Sequence, residues 1–254
     1  MRATGGPASG GLGDRTVLWD LDGTLVGLRR RSFKTLMPLT AAFAFRDLTP
    51  PHRFLRVLAD VLPEVRRNET DRTNTEFMVE RLADRLDIAP DLVSRRLQRL
   101  ADRDFGRLRR CFPALPEAVS TVRELRAAGN AQIIATNPLW PLSTATTRLR
   151  WGGHDPDLFE FITSGESMRR SKPRVEFYGE LLDRLGLAAE DCVMIGNDAA
   201  NDAPAARAGI PVFLLGTTES AVPPECRRTG LVTTGDWPRL REWLGIEEKS
   251  CSSS

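Results

Sequence analysis

Thr16–Leu25 reads TVLWDLDGTL, and its reading decides the fold. Val17, Leu18 and Trp19 form a short apolar run that ends in two aspartates, two positions apart, and then Gly-Thr. A run of this kind, stopped by a glycine turn, is a buried strand emptying into a loop. Ligands of open α/β sheets bind outside the carboxyl ends of the strands, so Asp20 and Asp22 arrive where chemistry is usually done. Residues two apart on an extended chain share a side, which predicts that both carboxylates converge on one small target. Gly23 lets the chain turn sharply away.

Two carboxylates this close raise one another's pKa unless a cation sits between them. A hard divalent ion such as Mg2+ answers that need, since it takes oxygen ligands and commonly shares its site with a phosphate. A helix-capping aspartate followed by an ordinary Asp-Gly turn is the plainer alternative. The stretch DLDGT resembles the first motif of the haloacid dehalogenase-like (HAD) hydrolase superfamily, most of whose members are Mg2+-dependent phosphotransferases. The resemblance requires further motifs in fixed order downstream.

Length and composition bound the rest. The chain has 254 residues, 41% hydrophobic and 28% charged, with 36 basic against 34 acidic residues. That suffices for one large α/β domain, or a core with a smaller lid. The basic residues are nearly all arginine, but the balance of charge lacks the domain-wide excess of a nucleic-acid binder. Cys111, Cys192, Cys226 and Cys251 are widely spaced, so neither a disulfide framework nor a zinc site is indicated, and a reducing, cytoplasmic compartment is expected. No apolar run approaches the roughly 18 residues of a membrane span, and the N-terminus lacks a signal-peptide core. Residues 1–15 and 247–254, rich in small and polar side chains, are expected to be disordered tails.

Residues 26–113 read as helix throughout. Phe33, Leu36, Met37, Thr40 and Phe43 recur at helical spacing. A second helix runs from Pro51 to Val61 and is bounded by Pro63. A third covers about Thr75–Leu86, with Phe77, Met78, Leu82 and Leu86 on one stripe. A fourth covers about Asp91–Arg109, with Val93, Leu97, Leu100 and Leu108 inward. Helix inserted directly after a catalytic-looking loop suggests a cap over the site. Arg95, Arg99, Arg103 and Arg107 lie opposite the leucines, where a solvated face is the first reading and an anion-binding stripe the second. Arg29, Arg30 and Arg31 lie nearer the loop, where surface solvation is the first reading and steering or binding of an anionic substrate the second. His52 has no partner pattern.

From Leu115 helix and strand alternate. A helix from Pro116 to Gly129 leads to the strand AQIIA, which ends in Thr136-Asn137-Pro138. A hydroxyl at a strand end, followed by free N–H groups, suits a phosphate oxygen. A helix over Leu142–Leu149 and a short strand near Phe159–Thr163 follow. Lys172-Pro173 opens a further helix that stops at Gly186. The strand Cys192–Ile195 then runs into Gly196-Asn197-Asp198, with Asp202 four residues on. Helix N-termini favour acids for structural reasons, but two acids flanked by Asn197 and Asn201 look more like a metal platform. Pro211–Leu215 is a fifth strand.

Thr136, Lys172 and the Asp198–Asp202 pair resemble the second, third and fourth HAD motifs, and four motifs in order on strand ends are far more specific than any one. The fold implied is a three-layer αβα Rossmann-like core with a parallel sheet, residues 16–25 and 114–246. The all-helical cap, residues 26–113, sits in the insertion between the first two motifs. The resemblance implies Asp20 as nucleophile, Asp22 as general acid and base, and Thr136 and Lys172 against the phosphoryl oxygens. Gly23, Thr24 and Asn137 fall beside the phosphate. Mg2+ falls to Asp20, the Asp22 carbonyl and Asp198, with Asp202 as outer partner. Asn197 in the first acid's place is the competing register, because the family usually has Gly-Asp there. An acid at Asp22 points to phosphatase chemistry, since dehalogenases of the family lack one. The expected activity is hydrolysis of a small phosphorylated metabolite by a monomer or homodimer. A phosphonatase, a phosphomutase and a retired binding protein are the alternatives.

Overall fold

The computed structural model describes residues 12–246. Its centre is a six-stranded sheet in the order β3-β2-β1-β4-β5-β6, parallel throughout. Strand β1 (Thr16–Trp19) pairs on one side with β2 (Gln132–Ile134) and on the other with β4 (Cys192–Gly196), with Trp19 level with Ile134 and Ile195. The strand order reverses between β1 and β4, the point where open α/β sheets form a binding crevice at the carboxyl ends of the strands. The DLDGT loop enters that crevice.

Between β1 and β2 the chain forms the helical insertion. Helices α1 (Arg30–Ala44), α2 (Pro51–Arg66), α3 (Asn74–Leu86) and α4 (Pro90–Asp102) are followed by a 3-10 stretch, Asp104–Cys111. Helix α5 (Pro116–Ala127) then returns the chain to the sheet. Next come α6 (Leu142–Trp151), β3 (Phe161–Ile162), α7 (Val175–Leu185) and, after β4, a single turn α8 (Ala199–Asp202). Strand β5 (Val212–Leu215), α9 (Pro224–Arg227), β6 (Val232–Gly235) and α10 (Trp237–Leu244) complete the described chain.

Alternation along β1 divides the core. Val17 and Trp19 pack with the insertion, α5 and α10, while Leu18 packs with Ile133, Met194 and the α7 residues Phe177, Tyr178 and Leu181 on the other face. Trp19 is fully buried, and its indole N–H donates to Gln132 Oε1 at 2.9 Å, a polar handle that a buried tryptophan needs.

Several expectations are corrected. Leu12 is buried and donates its N–H to the Leu244 carbonyl at 3.1 Å, so ordered structure begins before residue 16. The rest of the expected N-terminal tail, and residues 247–254, lie outside the described residues. Helix α2 does not stop at Pro63 but continues to Arg66, because Val61 and Val65, both fully buried, hold its last turn on the core. The fourth cap helix breaks at Arg103 and continues as the 3-10 stretch. On α1, Leu36 and Phe43 are 43% and 45% exposed rather than inward. The buried stripe is Met37, Thr40, Ala41 and Ala44, and the Phe43 ring instead lies under the guanidinium groups of Arg46 and Arg107, at 3.7 and 5.2 Å. Strand β6 has no counterpart among the expected strands. It is a half-buried edge of two threonines between valine and glycine, too short and polar to show a period.

Arg95 and Arg107 form local ion pairs with Asp91 and Asp104, and His52 is exposed on α2. Cys111, Cys192 and Cys226 are buried free thiols. No helix among the described residues is long and apolar enough to cross a membrane.

Candidate active site

Asp20 follows β1 directly, with its N–H held by the Ile195 carbonyl at 2.8 Å. Lys172 approaches from the loop before α7 and is 1% exposed. Its ammonium donates to Asp20 Oδ1 at 2.9 Å and to Asp202 Oδ1 at 2.6 Å. Burial by itself lowers a lysine pKa, but the pull of Asp20 and Asp202 overrides it and holds Lys172 well above the ordinary range. Burial pushes the Asp20 carboxyl up, against the opposing attraction of Lys172, and Asp22 adds to the rise. Asp202, fully buried, is pushed up to about 6 by the same desolvation. Its second oxygen accepts the N–H groups of Asn197 and Asp198, each at 3.0 Å, and lies against Gly196, where a Cβ would collide with it.

Beyond Trp19, the last strand residue, the two aspartates of DLDGT take different cationic partners. Asp20 faces Lys172, while Asp22 Oδ2 is paired with the buried guanidinium of Arg148 from α6. Among the described residues neither Asp22 Oδ1 nor Asn137 Oδ1, both buried, has a hydrogen-bond partner. Burial holds the Asp22 carboxyl above its usual range, although Arg148, Lys172 and Arg30 all pull downward.

Gly23 has φ +101°, and a Cβ there would overlap the Asn197 side-chain amide, so this turn admits glycine on both counts. Thr24 is fully buried, with its hydroxyl donating to Asn197 Oδ1 at 3.2 Å. Thr136 is buried at the end of the β2 segment, where its carbonyl accepts the Thr163 hydroxyl at 2.7 Å. Asp198 caps α8, with Oδ1 accepting from the N–H groups of Ala200 and Asn201. Its Oδ2 meets Arg30, from the start of α1, at 3.3 Å. Burial raises this carboxyl, but Arg30 and the Asn201 N–H outweigh it and hold it low. Asn197 therefore braces the Gly23 turn, Asp198 looks toward the cap, and Asp202 is committed to Lys172.

Asp20, Asp198 and the Asp22 carbonyl offer only oxygen, the donor type Mg2+ takes, and a phosphate and waters would complete such a shell. Among the described residues no set of three His, Cys, Asp or Glu side chains forms a ready-made metal cage. The donor chemistry fits a hard divalent ion shared with substrate rather than one held by protein alone.

Two participants escape sequence reading. Arg148 shares a helical face with Thr144, Ala145 and Leu149, all buried. A lone arginine on the inward stripe after the Thr136 loop is the available signal. Asn74, at the start of α3, is fully buried. Its amide donates to the Pro138 carbonyl at 3.1 Å, to Ser171 Oγ at 3.1 Å and to the Arg170 carbonyl at 3.4 Å. The N–H groups of Asn74 and Thr75 reach the Met168 and Gly165 carbonyls, both at 2.9 Å. The cap is thus tied to the core beside Lys172, and no local pattern announces it. Between α1, α3, α4 and the Leu139–Pro141 loop only an apolar void of about 10 Å3 remains, room for one water at most.

The description "haloacid dehalogenase-like hydrolase" belongs to the family whose profile matches residues 15–209. The chain is a member of that family. It is 27% identical over 133 residues to a phosphoglycolate phosphatase of Rhodospirillum rubrum, a match covering 52% of this chain and 54% of the relative. The chain therefore spans about half the length of that curated relative. A HAD phosphatase from Thermococcus onnurineus superposes with a TM-score of 0.57 at 18% identity, covering 92% of this chain and 99% of the other. The L-2-haloacid dehalogenase RSc1362 superposes at 0.52 and 19% identity, covering 91% and 98%. At such identities these structures share the fold.

Proposed function

We propose that this chain is a Mg2+-dependent phosphohydrolase acting on a small phosphate monoester through an aspartyl-phosphate on Asp20. The observation that carries the reading is the pair of acids in the crevice, each with one oxygen engaged by a different buried cation. Asp20 attacks phosphorus, its new O–P bond replacing the ester bond, so one hard displacement becomes two. Asp22 gives its proton to the departing alkoxide, then takes one from the water that attacks the phosphoaspartate and restores Asp20. Burial, which holds the Asp22 carboxyl up, supports that acid role. Lys172 and the Thr136 hydroxyl meet the charge on the phosphoryl oxygens. Asp20, Asp198 and the Asp22 carbonyl are the residues that would hold Mg2+, which would supply Lewis-acid charge against the phosphoryl oxygens. A halide leaves without a proton, so Asp22 favours phosphatase over dehalogenase chemistry.

The similarity to a phosphoglycolate phosphatase supports a small phosphate ester as the substrate class. The test is phosphate release from a panel of small esters, with and without Mg2+, with Asp20→Asn as control. Mg2+-dependent turnover that vanishes in Asp20→Asn is the expected result. No turnover on any ester by folded protein would overturn the reading in favour of a phosphonatase, a mutase or a binding protein.

A further inference from the structure

The cap carries a second cationic pocket, away from the crevice. It opens between the end of α1, the turn after it, α4 and the 3-10 stretch, and Arg46, Arg96, Arg99 and Arg107 converge on it beside Phe43. Its volume is about 310 Å3, the share of roughly ten waters in the liquid. Phe43 stands at the far end of α1 from Arg30, so at about 1.5 Å per residue the pocket lies roughly 20 Å from the contact of Arg30 with Asp198. The arginine stripe of the fourth cap helix is thus divided. Arg95 is paired with Asp91 and Arg103 lies outside the pocket, whereas Arg99 and Arg107 join Arg96 and, from beyond α1, Arg46.

Two acids line the same pocket, and each has an arginine of its own. Asp47 pairs with Arg96, whose Nη1 also donates to the Ala44 carbonyl at 3.3 Å, and Asp104 pairs with Arg107 at 3.6 Å. Arg46 and Arg99 form no ion pair among the described residues, so two positive charges stay uncompensated. Like charges gathered in one concavity repel unless an anion joins them. The cluster is also braced. Arg46 Nη1 donates to the Phe43 carbonyl at 3.1 Å, and the guanidinium groups of Arg46 and Arg107 lie 3.7 and 5.2 Å from the Phe43 ring centre. An exposed phenylalanine is otherwise unexplained here, and as a brace it holds two guanidinium forks where they can meet an anion.

We infer that this pocket binds a polyphosphate anion, a diphosphate or longer, with Arg46 and Arg99 as its principal contacts. Guanidinium groups match phosphoryl oxygens in charge and in the geometry of their paired N–H donors. The volume exceeds what a single phosphate fills, and the two uncompensated charges suit a multiply charged anion better than a lone carboxylate. The inference is independent of the chemistry assigned to the crevice, because the pocket belongs wholly to the cap.

The test is isothermal titration calorimetry of the full chain with inorganic pyrophosphate, in metal-free buffer of low ionic strength. The wild type is expected to bind one pyrophosphate, and inorganic phosphate at least about 10-fold more weakly. Arg46→Gln and Arg99→Gln should each weaken pyrophosphate binding on the order of 10-fold, the scale of one charge-assisted hydrogen bond, and the double variant should abolish it. Arg95→Gln combined with Arg103→Gln removes the same charge from the cap outside the pocket. That pair should cost less than about 3-fold, since salt screens exposed charges at a distance. Asp47→Asn removes a lining carboxylate and should tighten binding about 3-fold, a gain that misfolding cannot imitate. Absence of pyrophosphate binding by the wild type would overturn the assignment. So would undiminished binding by the double variant, equal losses in the two arginine pairs, or no gain in Asp47→Asn. Equal affinity for phosphate and pyrophosphate would overturn the polyphosphate class.

Discussion

Replacing Lys172 by Met tests the charge balance under the site. Methionine fills much of the volume of the lysine stem but removes the ammonium that touches Asp20 and Asp202. Asp202 is fully buried and the Asp20 side chain is 13% exposed, so water replaces little of what is lost. Breaking a buried ion pair by deleting one partner costs about 3–5 kcal/mol. Asp202 keeps two backbone N–H donors, which favours the lower half of that range. At about 2–4 °C per kcal/mol for a chain of this size, the melting temperature should fall by roughly 6–16 °C. The sign of the pH dependence follows from the same charges. Without the ammonium both carboxyls in the folded variant rise further above their unfolded values. A carboxyl raised by folding adds stability below its unfolded pKa and loses it as pH climbs through the folded one. The deficit should therefore be small near pH 4–5 and complete by about pH 8. Urea and thermal unfolding of both proteins in EDTA across that span measure it. A deficit below about 1 kcal/mol at the alkaline end, the value of a surface pair, would refute the reasoning, as would one equal at both ends.

Two further expectations concern the frame of the site. Asn74→Asp keeps the shape but turns an acceptor toward the Pro138 and Arg170 carbonyls, with only the Ser171 hydroxyl able to donate to it. Unpaired buried groups cost about 1–3 kcal/mol each, so a loss of at least about 2 kcal/mol in urea unfolding is expected, with faster hydrogen exchange over residues 165–171. An unchanged midpoint would show that the cap is not held there. His154 is buried, its Nε2 on the Leu25 carbonyl at 3.0 Å, and burial lowers its pKa below 6.5. The unfolded chain takes up that proton first, so the contribution of His154 is lost as pH falls below the unfolded pKa. Compared with His154→Gln, the wild-type melting temperature should drop more steeply on acidification below about pH 6.5; parallel curves would show that the ring does not titrate on unfolding.

Much of the core was legible because its signals are local. TVLW, AQIIA and CVMI are apolar runs stopped by turn residues, and all three became central strands of the sheet. Helices α3 and α4 were legible by period, since Phe77, Met78, Leu82, Leu86, Val93, Leu97 and Leu100 are all buried. Period misled on α1, where apolar residues cover more than one face and only packing decides which face turns inward. It was silent on β6, an edge strand completed by pairing with β5. A proline rule ended α2 one turn early because it prices the lost hydrogen bond but not the burial of Val65.

The sequence by itself determined the family and the central strands, and it nominated Asp20, Asp22, Thr136, Lys172, Asp198 and Asp202 as candidate site residues through the order of their motifs. Only the tertiary structure decided their partners. Lys172 bridges Asp20 to Asp202, Arg148 takes Asp22, Arg30 takes Asp198, and Asn74 ties the cap to the loop that carries Lys172. These contacts join residues 30 to 168 positions apart. Charge pairing acts through space and burial, and neither is written in the spacing of neighbours along a chain.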